Sequence, residues 1–208
     1  MNKIKYIAAA LIAIAGLGFQ QAKADTYSFD LNVGNAALTT GGFNGPYATV
    51  TVNLTDSTHA TITFAAYNGY LIGGAQAAGV NVSGSFQLVA NSFSWTGGNA
   101  STAFSDGGAN NLDGFGSFKQ TIDNFDGFNA AVTSLSFKLL ATNGNTWGNA
   151  MSVLTSTWLA AAHIFAIGDS SILTGYGAGN GVPDGGTTVM LLGIGLGVLG
   201  MVRRYLTC

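Results

Sequence analysis

Residues 48–66, ATVTVNLTDSTHATITFAA, decide the fold of this chain. Apolar and polar residues alternate in 49–54, and the same alternation returns in 61–66. A period of two places every second side chain on one face of a strand, so each run predicts a half-buried β-strand. Asp56-Ser57 lies between the runs and favours a turn. The stretch therefore predicts a β-hairpin.

Shorter patterns of the same kind continue on both sides of this hairpin. Apolar alternation or apolar runs predict further strands within 27–33, 80–88, 93–95, 115–125, 135–139 and 158–167. Gly-rich and Asn-rich segments predict loops at 67–79 and 97–116 and a linker at 168–181. A short helix is expected within 150–156. About seven or eight short strands with Thr-rich outer faces predict a mainly β fold, an antiparallel, jelly-roll-like β-sandwich over residues 25–167.

The charge of the predicted body excludes one class of partner. Residues 25–183 contain eight Asp and two Lys but no Glu or Arg, a net charge of −6. Binding to nucleic acid depends on Lys and Arg contacts to phosphate, so no nucleic-acid partner is expected. The single cysteine, Cys208, follows the body, so no disulfide is expected to stabilise the fold.

The N-terminal segment has the three parts of a secretory signal peptide. Lys3 and Lys5 precede an apolar run at 7–19, and the small residues Ala22 and Ala24 follow it. This order predicts a signal peptide at residues 1–24, with Asp25 as the first residue of the exported protein.

The C-terminal segment contains an apolar run that is closed by basic residues. Residues 187–202 carry no charge, and Arg203 and Arg204 follow directly. As a helix these sixteen residues would span about 24 Å, which is short beside a hydrocarbon core of about 30 Å. We therefore expect a short transmembrane helix at 187–202, with the arginines on the cytoplasmic side and the body outside the cytoplasmic membrane.

The five residues before this helix identify a resemblance. Val182, Pro183, Asp184, Gly185 and Gly186 read VPDGG and are followed by two threonines. Segment 182–208 resembles the PEP-CTERM sorting signal of Gram-negative bacteria, in the variant that reads VPDSG, with Gly185 in place of the serine. The resemblance implies that an exosortase-like membrane enzyme processes the chain near the motif and passes it to the cell surface or to the exopolysaccharide matrix. Residues 159–164, LAAAHI, are also similar to the last strand of small exported proteins with this tail.

The body offers few candidates for catalysis or metal binding. His163 could act as a base or a metal ligand, but His59 is the only other histidine, so a hydrogen-bonded structural role is expected. Asp106, Asp113, Asp123 and Asp126 could supply oxygen ligands to calcium, although their spacing does not match an EF-hand loop and Asp-Gly is ordinary turn chemistry. We assign no catalytic residue, cofactor or metal site.

Three functions agree with these features. We expect a non-enzymatic protein of the cell surface or extracellular matrix, with the membrane, a sorting enzyme and exopolysaccharide as partners. The alternative is a carbohydrate-binding or adhesive module, in which aromatic side chains would form a stacking platform: Tyr47, Tyr67, Tyr70, Trp95, Trp147 and Trp158. A secreted hydrolase with a pair of Asp residues in a cleft is a third hypothesis.

Overall fold

The computed structural model describes residues 25–98, 103–167 and 172–181. The strands of this part are β1 (Asp25–Asp30), β2 (Val33–Gly34), β3 (Ala48–Leu54), β4 (His59–Ala66), β5 (Tyr70–Ile72), β6 (Ala78–Val80), β7 (Phe86–Leu88), β8 (Ser94–Thr96), β9 (Ser105–Leu112), β10 (Gly116–Asp123), β11 (Ser134–Ala141), β12 (Ala160–Ile167) and β13 (Ile172–Gly179). The short helix α1 is Ala36–Thr40, and 3₁₀ helices occupy Gly127–Ala130 and Ala150–Val153.

The strands form two antiparallel sheets. In the first sheet the order is β1-β3-β4-β11-β7, and β8 also pairs with β11, beyond the end of β7. In the second sheet the order is β2-β13-β12-β6-β10-β9. β6 and β5 pair with the same edge of β12, β6 with its first half and β5 with its second half. The predicted mainly β, antiparallel fold is confirmed.

The inward faces of the two sheets share one hydrophobic core. Val52 and Phe64 of the first sheet belong to the same buried cluster as Ile122 and Ile164 of the second. The predicted hairpin is β3 and β4, in which Val52 lies opposite Ile62, so that the apolar residues of both strands point inward. Hydrophobic alternation therefore sets the register of this hairpin.

Three segments that the sequence assigns to loops or a linker contain strands. Residues 67–79 include β5 and the start of β6, and residues 97–116 include β9, whose sequence SDGGANNL has almost no apolar side chains. β9 is the edge strand next to β10, where backbone hydrogen bonds can form without a buried face. The prediction of a short helix within 150–156 corresponds to the 3₁₀ helix at Ala150–Val153.

The third segment changes the boundary of the folded domain. The predicted linker at 168–181 contains β13, which pairs with β12 along its whole length, so the linker prediction is wrong for residues 172–179. Its glycines allow close contact: a Cβ on Gly177 would lie 2.8 Å from Tyr47 Cδ2. The domain continues to Gly181, whose carbonyl accepts a hydrogen bond from the Tyr27 hydroxyl.

The two ends of the described chain lie at the same end of the sandwich. Tyr27, which contacts Gly181, is two residues from Asp25, and Asp25 Oδ2 accepts a hydrogen bond from the Ala150 amide at 2.7 Å. No helix of the described residues is long and apolar enough to cross a membrane. The predicted signal peptide at 1–24, its cleavage residues, the apolar run at 187–202 and the arginines beyond it lie outside the described residues.

Candidate functional site

The six aromatic candidates do not form a common platform. Trp147 is buried and donates its ring N–H to the Ser83 carbonyl at 3.1 Å, and Tyr47 is equally buried. Trp95 packs against Phe104, and Trp158 against Phe115. The remaining two also differ: Tyr70 packs on Tyr47, whereas Tyr67 is exposed and its hydroxyl bonds to Asp30.

Three of the four Asp candidates for calcium accept hydrogen bonds from separate partners, and the side chain of Asp126 makes no cap hydrogen bond to the 3₁₀ helix that follows it. Asp106 accepts from the Gly108 amide and from Gln120 Nε2, at 2.8 and 2.7 Å. Asp113 accepts from Asn35, and Asp123 accepts from the Gln76 amide at 2.8 Å. Within residues 25–98, 103–167 and 172–181, no group of three or more His, Cys, Asp or Glu side chains could hold a metal ion.

His163 lies on the outer face of the second sheet, between aromatic rings. Its ring stacks on Tyr176 with centroids 4.7 Å apart, and it tilts against Phe165 at 4.9 Å. Its Nδ1 atom is buried and has no hydrogen-bond partner in the described structure. Burial lowers the pKa of His163, and the backbone of Ala75 and Gly73 opposes this only in part. Stacking against Tyr176 and Phe165 therefore gives His163 a place in the packing of this sheet face.

This environment predicts a pH dependence of stability. The unfolded chain has an ordinary His pKa of about 6.5, and the folded value is lower. Below pH 6.5 or so the unfolded state therefore binds a proton that the folded state does not, and stability falls with acidification. We expect the wild type to lose more stability between about pH 7 and about pH 5 than His163→Phe, which retains an aromatic ring. Urea unfolding at both pH values measures the difference; equal losses would contradict it.

An Asp-His pair lies on the first sheet, at the turn between β3 and β4. Asp56 Oδ1 accepts from the amides of Thr58 and His59 at 2.8 and 2.9 Å. Asp56 Oδ2 also accepts a hydrogen bond from His59 Nδ1 at 2.9 Å, a contact that becomes an ion pair when the ring is protonated. The Thr58 amide, the His59 ring and the other donors hold the pKa of the Asp56 carboxyl well below its usual range. This turn therefore fixes the His59 ring relative to the sheet.

A groove of about 430 Å³ adjoins this turn. Its walls come from the β3–β4 turn, β4, β11 and the end of β7, and they include His59, Thr61, Gln87 and Lys138. Sequence patterns do not reveal this site, because Asp56 lies in a predicted turn and Lys138 lies within the separate strand predicted at 135–139. Only the pairing of β4 with β11 brings them together.

The structure and the tail together define a class: a mainly β domain whose last described strand, β13, ends shortly before a C-terminal sequence motif. Residues 181–206 match the family model described as the VPDSG-CTERM motif. This confirms the predicted sorting signal of the PEP-CTERM-like type, and the chain is an exported protein directed to the cell surface. No curated protein and no solved structure matches this chain.

Proposed function

We propose that this chain is a non-enzymatic component of the cell surface or extracellular matrix of a Gram-negative-type bacterium, where it associates with exopolysaccharide. An exosortase-like enzyme in the membrane processes it near Val182–Gly186. The match of residues 181–206 to the sorting motif is the observation that carries this proposal.

The position of the domain supports delivery in a folded form. β1 begins at Asp25, directly after the predicted signal-peptide cleavage site, and Gly181, directly before the motif, contacts Tyr27 of β1. Both predicted processing sites thus lie next to residues that belong to the folded domain. Removal of either end would leave every described strand intact.

The surroundings of the histidines support a role without catalysis. His163 stacks between rings, and its unpaired Nδ1 is buried away from solvent. His59 is oriented by Asp56, but the hydroxyl nearest to this pair, on Thr58, already bonds to Asp56 Oδ1 at 2.8 Å. A nucleophile must be positioned and activated by its base, and this hydroxyl instead belongs to the turn.

Intact mass spectrometry of the protein from its native host tests the proposal. We expect a chain that begins at Asp25 and ends near the motif, recovered from the surface or matrix fraction. The double variant Pro183→Ala, Asp184→Ala should keep the full C-terminal mass and remain with the membrane. Asp126→Ala, a loss of one carboxylate in the body, should be processed like the wild type. Full-length wild-type protein confined to the cytoplasm would overturn the proposal.

A further inference from the structure

We propose that the groove beside the β3–β4 turn binds a carboxylate-bearing sugar unit of an acidic polysaccharide, with Lys138 as the group that pairs with the carboxylate. The ligand would be a hexuronate, free or within a chain. Its natural source rests on the proposed association with exopolysaccharide, whereas binding itself does not depend on sorting.

Charge singles out Lys138 within the domain. The only other lysine of the body, Lys119, donates its Nζ to the Val82 carbonyl at 2.9 Å. Lys138 is exposed, and it has no ion pair or side-chain hydrogen bond in the part of the chain that the structure describes. In a body of net charge −6, this ammonium is an available partner for an anionic ligand group.

The strand register places a second polar group beside this lysine. Leu140 lies opposite His59, and Lys138 lies opposite Thr61, so Lys138 and His59 are diagonal neighbours on the outer face. Side chains in this relation are about 7–8 Å apart and can converge on one group when they are long. Because the Nδ1–H of His59 donates to Asp56, Nε2 of the neutral ring is left as an acceptor with no partner among the described residues, and it can accept from a sugar hydroxyl.

The negative charge of the Asp56 carboxylate is stabilised by donors of its own turn. The carboxylate accepts from the Thr58 amide, the Thr58 hydroxyl, the His59 amide and the His59 ring, so its hydrogen-bonding capacity is used within the turn. Its role in the site is to orient the His59 ring.

The remaining surface of the groove suits a sugar ring. Val89, Ala90 and Leu140 provide apolar surface, and Thr61 and Gln87 provide hydrogen-bonding groups at its edges. A sugar presents C–H faces and hydroxyl edges, which match this mixture. The volume of about 430 Å³ lies within the range of small-molecule sites and suits one or two sugar units.

Titration of the purified full-length protein in detergent with digalacturonate, followed by calorimetry or NMR, tests the proposal. We expect saturable binding that weakens with salt, and no comparable binding of a neutral disaccharide such as cellobiose. Lys138→Gln should weaken binding by about tenfold or more, because a charge-assisted hydrogen bond is lost. Lys138→Arg, which keeps the charge, should restore most of the affinity.

Asp126→Asn is the matched control for net charge. It raises the net charge by the amount that Lys138→Gln lowers it, but it lies outside the groove, so affinity should stay near the wild-type value. Unfolding midpoints should be equal for all variants. Absent binding, equal binding of cellobiose, or unchanged affinity in Lys138→Gln would overturn the proposal. Correct surface delivery without uronate binding would overturn this inference alone, and uronate binding without C-terminal processing would overturn only the sorting mechanism.

Discussion

Replacing Phe64 with alanine is expected to lower the free energy of unfolding by about 3–5 kcal/mol. Phe64 has no exposed surface, and its ring stacks on Phe137 of β11 with centroids 6.3 Å apart. Truncation removes this contact and leaves a cavity between the sheets that the surrounding strands can fill only in part. Urea unfolding of the purified protein measures the change as a lower midpoint with a similar slope.

Phe125→Ala is the matched control for this substitution. It deletes the same atoms, but Phe125 is 78% exposed, so the unfolding free energy should change by about 0.5 kcal/mol or less. Similar losses in both variants would contradict the proposed core, because they would mean that burial between the sheets does not determine the effect.

Strands with one buried face could be predicted from the sequence. β3, β4 and β11 alternate between apolar and polar residues because one face meets the core and the other meets solvent. β13 lacks this signal, since its sequence ILTGYGAG replaces large apolar residues with glycine and alanine. The place of β13 in the sheet depends on small residues that let neighbouring segments approach closely. Whether such an approach is needed depends on those segments as well as on β13, so the sequence of β13 alone does not show it.

The sorting signal could be predicted from the sequence, whereas the groove could not. The motif, the apolar run and the arginines of the tail are contiguous, so the tail could be predicted from the sequence and its family match confirms it. His59 and Lys138 come from strands far apart along the chain, and their proximity depends on the register of β4 against β11. A single sequence does not specify that register between distant strands, although each strand can be predicted separately.

Gly179→Ala is expected to destabilise the protein by about 1–3 kcal/mol, the usual cost of overpacking. Gly179 ends β13, and an added Cβ would lie 2.4 Å from the Asp30 carbonyl oxygen and 3.1 Å from Phe29 Cδ2. Since the nearest atom belongs to the backbone of β1, relief requires the strands to separate at the end of the sandwich where Tyr27 contacts Gly181.

A different result is expected if residues 168–181 form a flexible linker. In such a linker Gly→Ala lowers the conformational entropy of the folded and the unfolded state alike, so the free energy of unfolding stays near the wild-type value. At an ordered position with free space the same change stabilises by about 0.4–1 kcal/mol, because only the unfolded chain loses entropy. Gly148→Ala is the matched control, because a Cβ there would meet no atom within 4 Å, so its unfolding midpoint should equal or exceed that of the wild type. Urea unfolding of both variants separates the two cases: a loss confined to Gly179→Ala requires β13 to pack against β1, and an unchanged or higher midpoint in Gly179→Ala would exclude that packing.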